Sequence, residues 1–140
     1  MEHDDETRRA VVVEAARLFN QFGYDLASLD LVERELRVRA PSDPHMHDLL
    51  SDREALAMTA FDYAVEQTNL LLTAAVAQEQ DAVDQLMAIV LAFRALVETP
   101  ATEAGCPVFD AALHSASALP FLEELARKAV SEWRRRVRQI

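Results

Sequence analysis

The sequence predicts an all-α fold, a helical bundle of about seven helices, and three observations carry that prediction. The composition is rich in Ala, Leu, Glu, Arg, Val and Gln, which favour helix. Apolar residues recur at three- and four-residue spacing along most of the chain, and no stretch alternates as a strand would. Only 2 Gly and 5 Pro interrupt 140 residues, and they fall between the periodic stretches rather than inside them.

Length and composition bound the rest. A chain of 140 residues makes one domain, and 51% apolar residues are enough for a real core. No apolar run reaches the length that spans a bilayer, so no membrane association is expected. The opening MEHDDETRRA is acidic and lacks the apolar segment of a signal peptide. Cys106 is the single cysteine, which excludes an internal disulfide and makes a reducing, cytoplasmic location the default expectation. With 14 basic and 24 acidic side chains the net charge is −10, so phosphate backbones repel the chain on average and any DNA contact needs a locally basic face.

The first helix is predicted from about Thr7 to Phe22, capped by Thr7 or Asp5, with Val12, Ala15, Ala16, Phe19 and Phe22 on its core face. Gly23 ends it as a left-handed C-cap. The second helix is predicted from Leu29 to Leu36, with Ser28 as N-cap and Leu29, Val32 and Leu36 on one face. Pro41 and Pro44 forbid a continuous helix there, and Asp43-Pro44 opens a short third helix to about Leu50. Ser51 to Glu54 reads as a capping box for a long fourth helix, about Asp52 to Gln78. Its main face is Leu56, Ala60, Tyr63, Gln67, Leu70, Ala74 and Ala77, with Phe61, Val65 and Leu72 on a second apolar face.

The fifth helix spans about Asp81 to Glu98, with Val83, Leu86, Met87, Val90, Leu91 and Leu96 inside. Thr99-Pro100 and Gly105-Cys106-Pro107 punctuate a loop, a short sixth helix follows from Val108 to Ser115, and Pro120 starts the seventh. The seventh carries Phe121, Leu125, Ala129 and Trp133 on one stripe. Residues 1–50 form the expected N-terminal head, with 40–50 its altered segment, and 51–140 the expected helical ligand and oligomerisation body.

Ser28 to Leu56 is the informative stretch, because its two edges look like a DNA-reading helix-turn-helix and its middle does not. From Ser28 to Glu54 there are four basic residues (Arg34, Arg37, Arg39, Arg53) against seven acidic ones (Asp30, Glu33, Glu35, Asp43, Asp48, Asp52, Glu54). A recognition helix must offer donors to base edges while its neighbours contact phosphates. Near the turn, Arg37, Arg39, His45 and His47 are the candidate DNA contacts.

Ala15, Ala16, Leu18, Phe19, Gly23, Tyr24, Ser28 and Val32 resemble the opening of the TetR family of bacterial regulators: a first helix, a glycine stop, an aromatic residue and a capped second helix. Arg53-Glu54-Ala55-Leu56 is similar to the family's Lys-Glu-x-Leu start of helix four, and Gly105-Cys106-Pro107 before a short helix and a Trp-bearing helix resembles the ligand domains of some members. The resemblance covers nearly the whole chain. It implies a transcriptional regulator with a helix-turn-helix head, a ligand-binding body and a dimeric state. Three features depart from it. Arg37-Val38-Arg39 and about three extra residues replace the family's Gly-Val-Ser turn. His47-Asp48-Leu49-Leu50 stands where the recognition helix usually ends near Tyr-x-Tyr-Phe. The chain ends at Ile140, where the resemblance leads one to expect two further helices of a dimer interface.

Other chemistries are weighed on the residues themselves. His45 and His47 stand two apart, which does not place them on one helix face, and no Cys/His pair complements them, so no metal is expected. Cys106 and His114 are eight apart, but no basic residue adjoins Cys106 to activate it. No phosphate loop, paired-carboxylate motif or nucleophile elbow occurs, so neither an enzyme nor a cofactor is expected. Arg134, Arg135, Arg136 and Arg138 complement the negative end of the last helix.

A small, apolar ligand would sit among the fourth, fifth, sixth and seventh helices, with Tyr63, Gln67, Met87, Arg94, Phe109, His114 and Trp133 as candidate lining. The leading reading is a TetR-like regulator that senses such a ligand or binds a partner protein, with impaired or lost DNA binding. It would pair as a homodimer or with a TetR-like relative, through the exposed faces of the fifth to seventh helices, including Phe121, Leu125 and Trp133. The alternatives are a divergent but working DNA-binding repressor and a helical protein-interaction module without a ligand.

Overall fold

The computed structural model describes residues 2–39, 48, 50–98, 106–114 and 119–140. Among them run six helices and no strand: α1 (Glu2–Phe22), α2 (Leu26–Arg39), α3 (Arg53–Ala77), α4 (Ala82–Glu98), α5 (Pro107–His114) and α6 (Pro120–Gln139). The fold is all-α, with six helices among the described residues where about seven were expected. The expected short helix from Pro44 to Leu50 falls mostly outside the described residues, where Asp48, Leu50 and Ser51 alone are seen to be helical. Pro41, Pro44, Thr99, Pro100 and Gly105, on which turns were expected, also lie outside them.

The helix ends follow from local chemistry, with corrections at three starts. α1 begins at Glu2, so Asp5 and Thr7 lie within its first turns instead of capping it. It stops where expected: Gly23 has φ 94°, a left-handed conformation that costs glycine nothing, and its N–H donates to the Phe19 carbonyl at 2.7 Å. α2 begins at Leu26, with the Asp25 carbonyl accepting from the Leu29 N–H at 3.0 Å, so Ser28 sits in the first turn and is not the N-cap. At α3 the cap is Asp52 rather than Ser51: its Oδ1 accepts from the Ala55 N–H at 2.9 Å, while the Ser51 hydroxyl donates to the Asp48 carbonyl at 2.7 Å. Asp81 supports the start of α4 by accepting from the Val83 N–H at 2.9 Å, and Pro120 opens α6 as expected.

α3 is the long axis of the molecule. Its first half packs on α1, and along its length it meets α4, α5 and α6, while α2 packs on α1 and α5 on α6. The main core joins Val11, Ala15, Ala16, Leu18, Phe19 and Tyr24 to Leu29, Val32 and Leu36 of α2, Leu56 to Ala64 of α3, and buried positions of α5 and α6. Tyr24 stacks on Phe19 (centroids 4.8 Å apart, planes at 9°) and meets Phe61 edge-on at 5.9 Å. The glycine stop therefore delivers an aromatic ring from the end of α1 onto α3. A second, much smaller cluster holds Leu72, Ile89 and Ala92.

The core faces of α1 and α2 match the sequence pattern, except that Phe22 is exposed. On α3 the buried stripe is Leu56, Ala57, Ala60, Phe61, Ala64, Thr68 and Leu72. The expected stripe agrees at Leu56 and Ala60, then reaches solvent at Gln67, Leu70, Ala74 and Ala77. Those positions repeat every 3.5 residues, which precesses about 20° per heptad against a straight helix. Thr68 is buried but satisfied, its hydroxyl donating to the Ala64 carbonyl at 3.0 Å. On α6 the buried residues are Leu122, Ala126 and Ala129, with Phe121, Leu125 and Trp133 half-buried beside them. On α4 only Ile89 and Ala92 are buried, and Val83, Leu86, Met87, Val90 and Leu91 face outward. Apolar residues ring that helix, so spacing alone could not tell its packed side from its open one.

Candidate nucleic-acid interface and small-molecule groove

α2 would support a DNA-reading segment, and its outward face carries Arg34, Arg37 and Val38. Arg37 is engaged on its own helix: Nη2 and Nε donate to Glu33 Oε1 at 2.9 and 3.2 Å. Glu33 also binds Arg53 of α3 through Oε2 (Nε 2.9 Å, Nη2 2.6 Å), and Arg53 Nη2 reaches Asp30 Oδ1 at 2.6 Å. Two carboxylates one turn apart on α2 thus clamp the guanidinium that opens α3. The hydrogen bonds from Arg53, then those from Arg37, hold the Glu33 carboxyl below its ordinary range, and Glu33 in turn raises Arg53. Of the expected DNA contacts, Arg37 is therefore spoken for by a carboxylate, the Arg39 side chain is not among those described, and His45 and His47 lie outside the described residues.

The expected ligand lining is not gathered into one place. Gln67, Met87, Arg94 and Phe109 are exposed, and Arg94 pairs with Glu98 at 2.8 Å. His114 ends α5, its side chain outside the description. Trp133 is half-buried at the junction of α3, α4 and α6: its Nε1 donates to Asn69 Oδ1 at 2.7 Å, and its ring meets Phe93 edge-on at 5.2 Å. Arg136 donates to Thr73 Oγ1 at 2.8 Å, so one residue of the C-terminal basic run ties α6 to α3.

Tyr63 alone of these residues lines a groove of about 620 Å³, which runs between α1 and α3. Its walls are Asp5, Glu6, Arg8, Arg9 and Val12 on one side and Thr59, Asp62, Tyr63 and Glu66 on the other. Burial pushes the Asp62 carboxyl up, against an opposing pull from Lys128 of α6. The sequence reading missed this groove, although both sets recur at three- and four-residue spacing; the missing information was that the two faces oppose each other. Likewise Asp30 and Glu33 entered the sequence reading only as two acidic residues, and their shared partner Arg53, 20 residues beyond Glu33, was not legible there.

Among the described residues no group of three His, Cys, Asp or Glu side chains is placed to hold a metal ion. Cys106 is free and half-buried against the main core. No helix among the described residues is long and apolar enough to cross a membrane.

Comparison with known proteins gives a consistent picture. Residues 82–140 match the family described as "Tetracyclin repressor-like, C-terminal domain". No curated protein sequence matches the chain. Among solved structures, a TetR transcriptional regulator from Chloroflexus aurantiacus J-10-fl is similar at 32% identity with a TM-score of 0.82, covering 99% of this chain and 69% of that one. Since that likeness runs through head and body alike, the chain belongs to the TetR family of transcriptional regulators.

Proposed function

We propose that this regulator reads a small molecule or a partner protein through its body (51–140), while its head (1–50) binds DNA weakly or not at all. It works as a pair, with itself or with a TetR-like relative, in the cytoplasm. The observation that carries the reading is the clamp at the head: Arg37 and Arg53 are both engaged by Glu33, in a stretch of sequence, Ser28 to Glu54, where acidic residues outnumber basic ones. A guanidinium held by a carboxylate must break that contact before it neutralises a phosphate, and so adds less to DNA affinity than a free one. The α1–α3 groove supports the small-molecule arm, being within the size range of ligand pockets, though one of its walls belongs to the head and only the other to the body. Its charged rim fits an amphipathic molecule better than a wholly apolar one.

The test is a pull-down of genomic fragments by the purified protein over a salt series. The expected outcome is no fragment enriched in a salt-sensitive way. The second reading, a divergent but working DNA-binding repressor, is favoured by a likeness to the solved TetR regulator that includes the head. It takes over if fragments are enriched and the enrichment disappears in Arg37→Ala/Arg39→Ala.

A further inference from the structure

Six charged side chains line the groove between α1 and α3 without neutralising one another. Asp5, Glu6, Arg8 and Arg9 belong to the α1 wall, Asp62 and Glu66 to the α3 wall. Among the described residues none of the six makes an ion pair or a side-chain hydrogen bond, whereas Arg17, Arg37, Arg53, Arg94 and Arg127 each hold a carboxylate. The groove also has an apolar part: Val12 is buried in its wall, and the Tyr63 ring is half-buried beside Asp62. It is therefore a cavity with both a surface for an apolar body and charges left to be met.

The sign of the unmet charge selects the occupant. Four carboxylates outnumber two guanidiniums in the groove. A smaller hollow of about 230 Å³ adjoins it through Arg8, Val12 and Thr59, and adds Asp48 and Asp52 with no further base. A concave site with an excess of one sign concentrates ions of the other. Asp62 and Glu66 stand one turn apart on α3, where like charges repel, and a cation between them removes that repulsion. Partial burial pushes the Asp62 carboxyl up, and Lys128 opposes this without cancelling it. An aromatic ring next to two carboxylates favours an ammonium group over a neutral one.

We propose that the α1–α3 groove binds an amphipathic organic cation, with its protonated nitrogen between Asp62 and Glu66 beside the Tyr63 ring and its apolar body along Val12. The inference rests on the small-molecule reading above and gives that reading a ligand class and a site. The site lies on the seam between head and body, so the ligand touches both.

The test uses the 140-residue chain and three molecules with one apolar body and different heads: phenylbutylamine, phenylbutanol and phenylbutanoate. In isothermal titration calorimetry at low salt, the protonated amine should bind about tenfold more tightly than the alcohol, and the carboxylate most weakly. Added salt should shrink the amine's advantage. Asp62→Asn and Glu66→Gln should each weaken the amine about threefold and together bring it to the level of the alcohol, with the circular dichroism unchanged. Arg8→Gln should instead tighten the amine about threefold, a gain that a merely structural role for Arg8 does not predict. Equal binding of amine and alcohol overturns the ligand class, and amine binding indifferent to Asp62→Asn/Glu66→Gln overturns the site. Either result leaves the small-molecule reading standing. Binding by none of the three overturns the inference. The broader reading fails by a different measurement, the salt-sensitive enrichment of genomic fragments.

Discussion

Around Phe19 the apolar side chains have an interior to face; around Val90 they do not. The first region takes in α1, α2 and the first half of α3, where Phe19, Tyr24 and Phe61 interlock and the neighbouring apolar positions are buried with them. The second takes in the far half of α3 and α4, where the cluster has three buried residues with partly buried ones such as Phe93 and Trp133 against them, and much of α4's apolar surface looks outward. The two regions share one helix, so the contrast reflects neighbours rather than helix propensity. Among the described residues the head closes its core, whereas the α4 end leaves much of its apolar surface uncovered.

Four substitutions would break or sharpen that contrast. The largest effect is expected at the first core: Phe19→Ala should lower unfolding stability by about 3–5 kcal/mol in urea denaturation, while Ile89→Ala at the thin cluster should stay near or below about 2 kcal/mol. Equal losses at the two sites would dissolve the distinction. Next, Gly23→Ala should cost about 1 kcal/mol or somewhat more, because a side chain is forced into the left-handed region at the turn that aims Tyr24. The smallest effect is expected at the exposed clamp, where Arg53→Ala should cost under about 1 kcal/mol and less as salt is added. Glu33 is held below its ordinary value of 4.5, so its contribution is complete above that value and fades as the pH falls through the lowered one. In acid titrations monitored by circular dichroism, Arg53→Ala should therefore flatten the fall in stability below about pH 4.5. A mutant that loses as much stability at pH 3 as at pH 7 would deny the clamp a role in joining α2 to α3.

What was legible in the residues follows the same division. Where a helix has one partner side, as in α1 and α2, spacing alone picked out Val12, Ala15, Phe19, Leu29, Val32 and Leu36. Gly23 was legible because few other roles for a glycine fit between a periodic run and an aromatic residue. Where apolar residues encircle the axis, as in α4, the pattern carried no phase, and Met87 and Val90 were placed inside when they lie outside. The α3 cap was readable to within a residue, since Ser51 and Asp52 are both competent and geometry chose Asp52, while α1 and α2 start two or more residues before the caps read for them. The groove and the clamp were not readable, because each needs residues from two helices whose relative rotation no single-helix pattern contains.

Trp133 has a practical consequence. It is the single tryptophan of the chain, and it sits where both clusters meet, bonded to Asn69 of α3 and edge-on to Phe93 of α4. Its emission is therefore an unlabelled gauge of one seam. Lifting α4 from its neighbours would wet the indole and move its fluorescence to longer wavelength. Changes confined to the ring stack at Phe19 and Tyr24 would leave that signal untouched, so one spectrum can separate events at the two ends of the molecule.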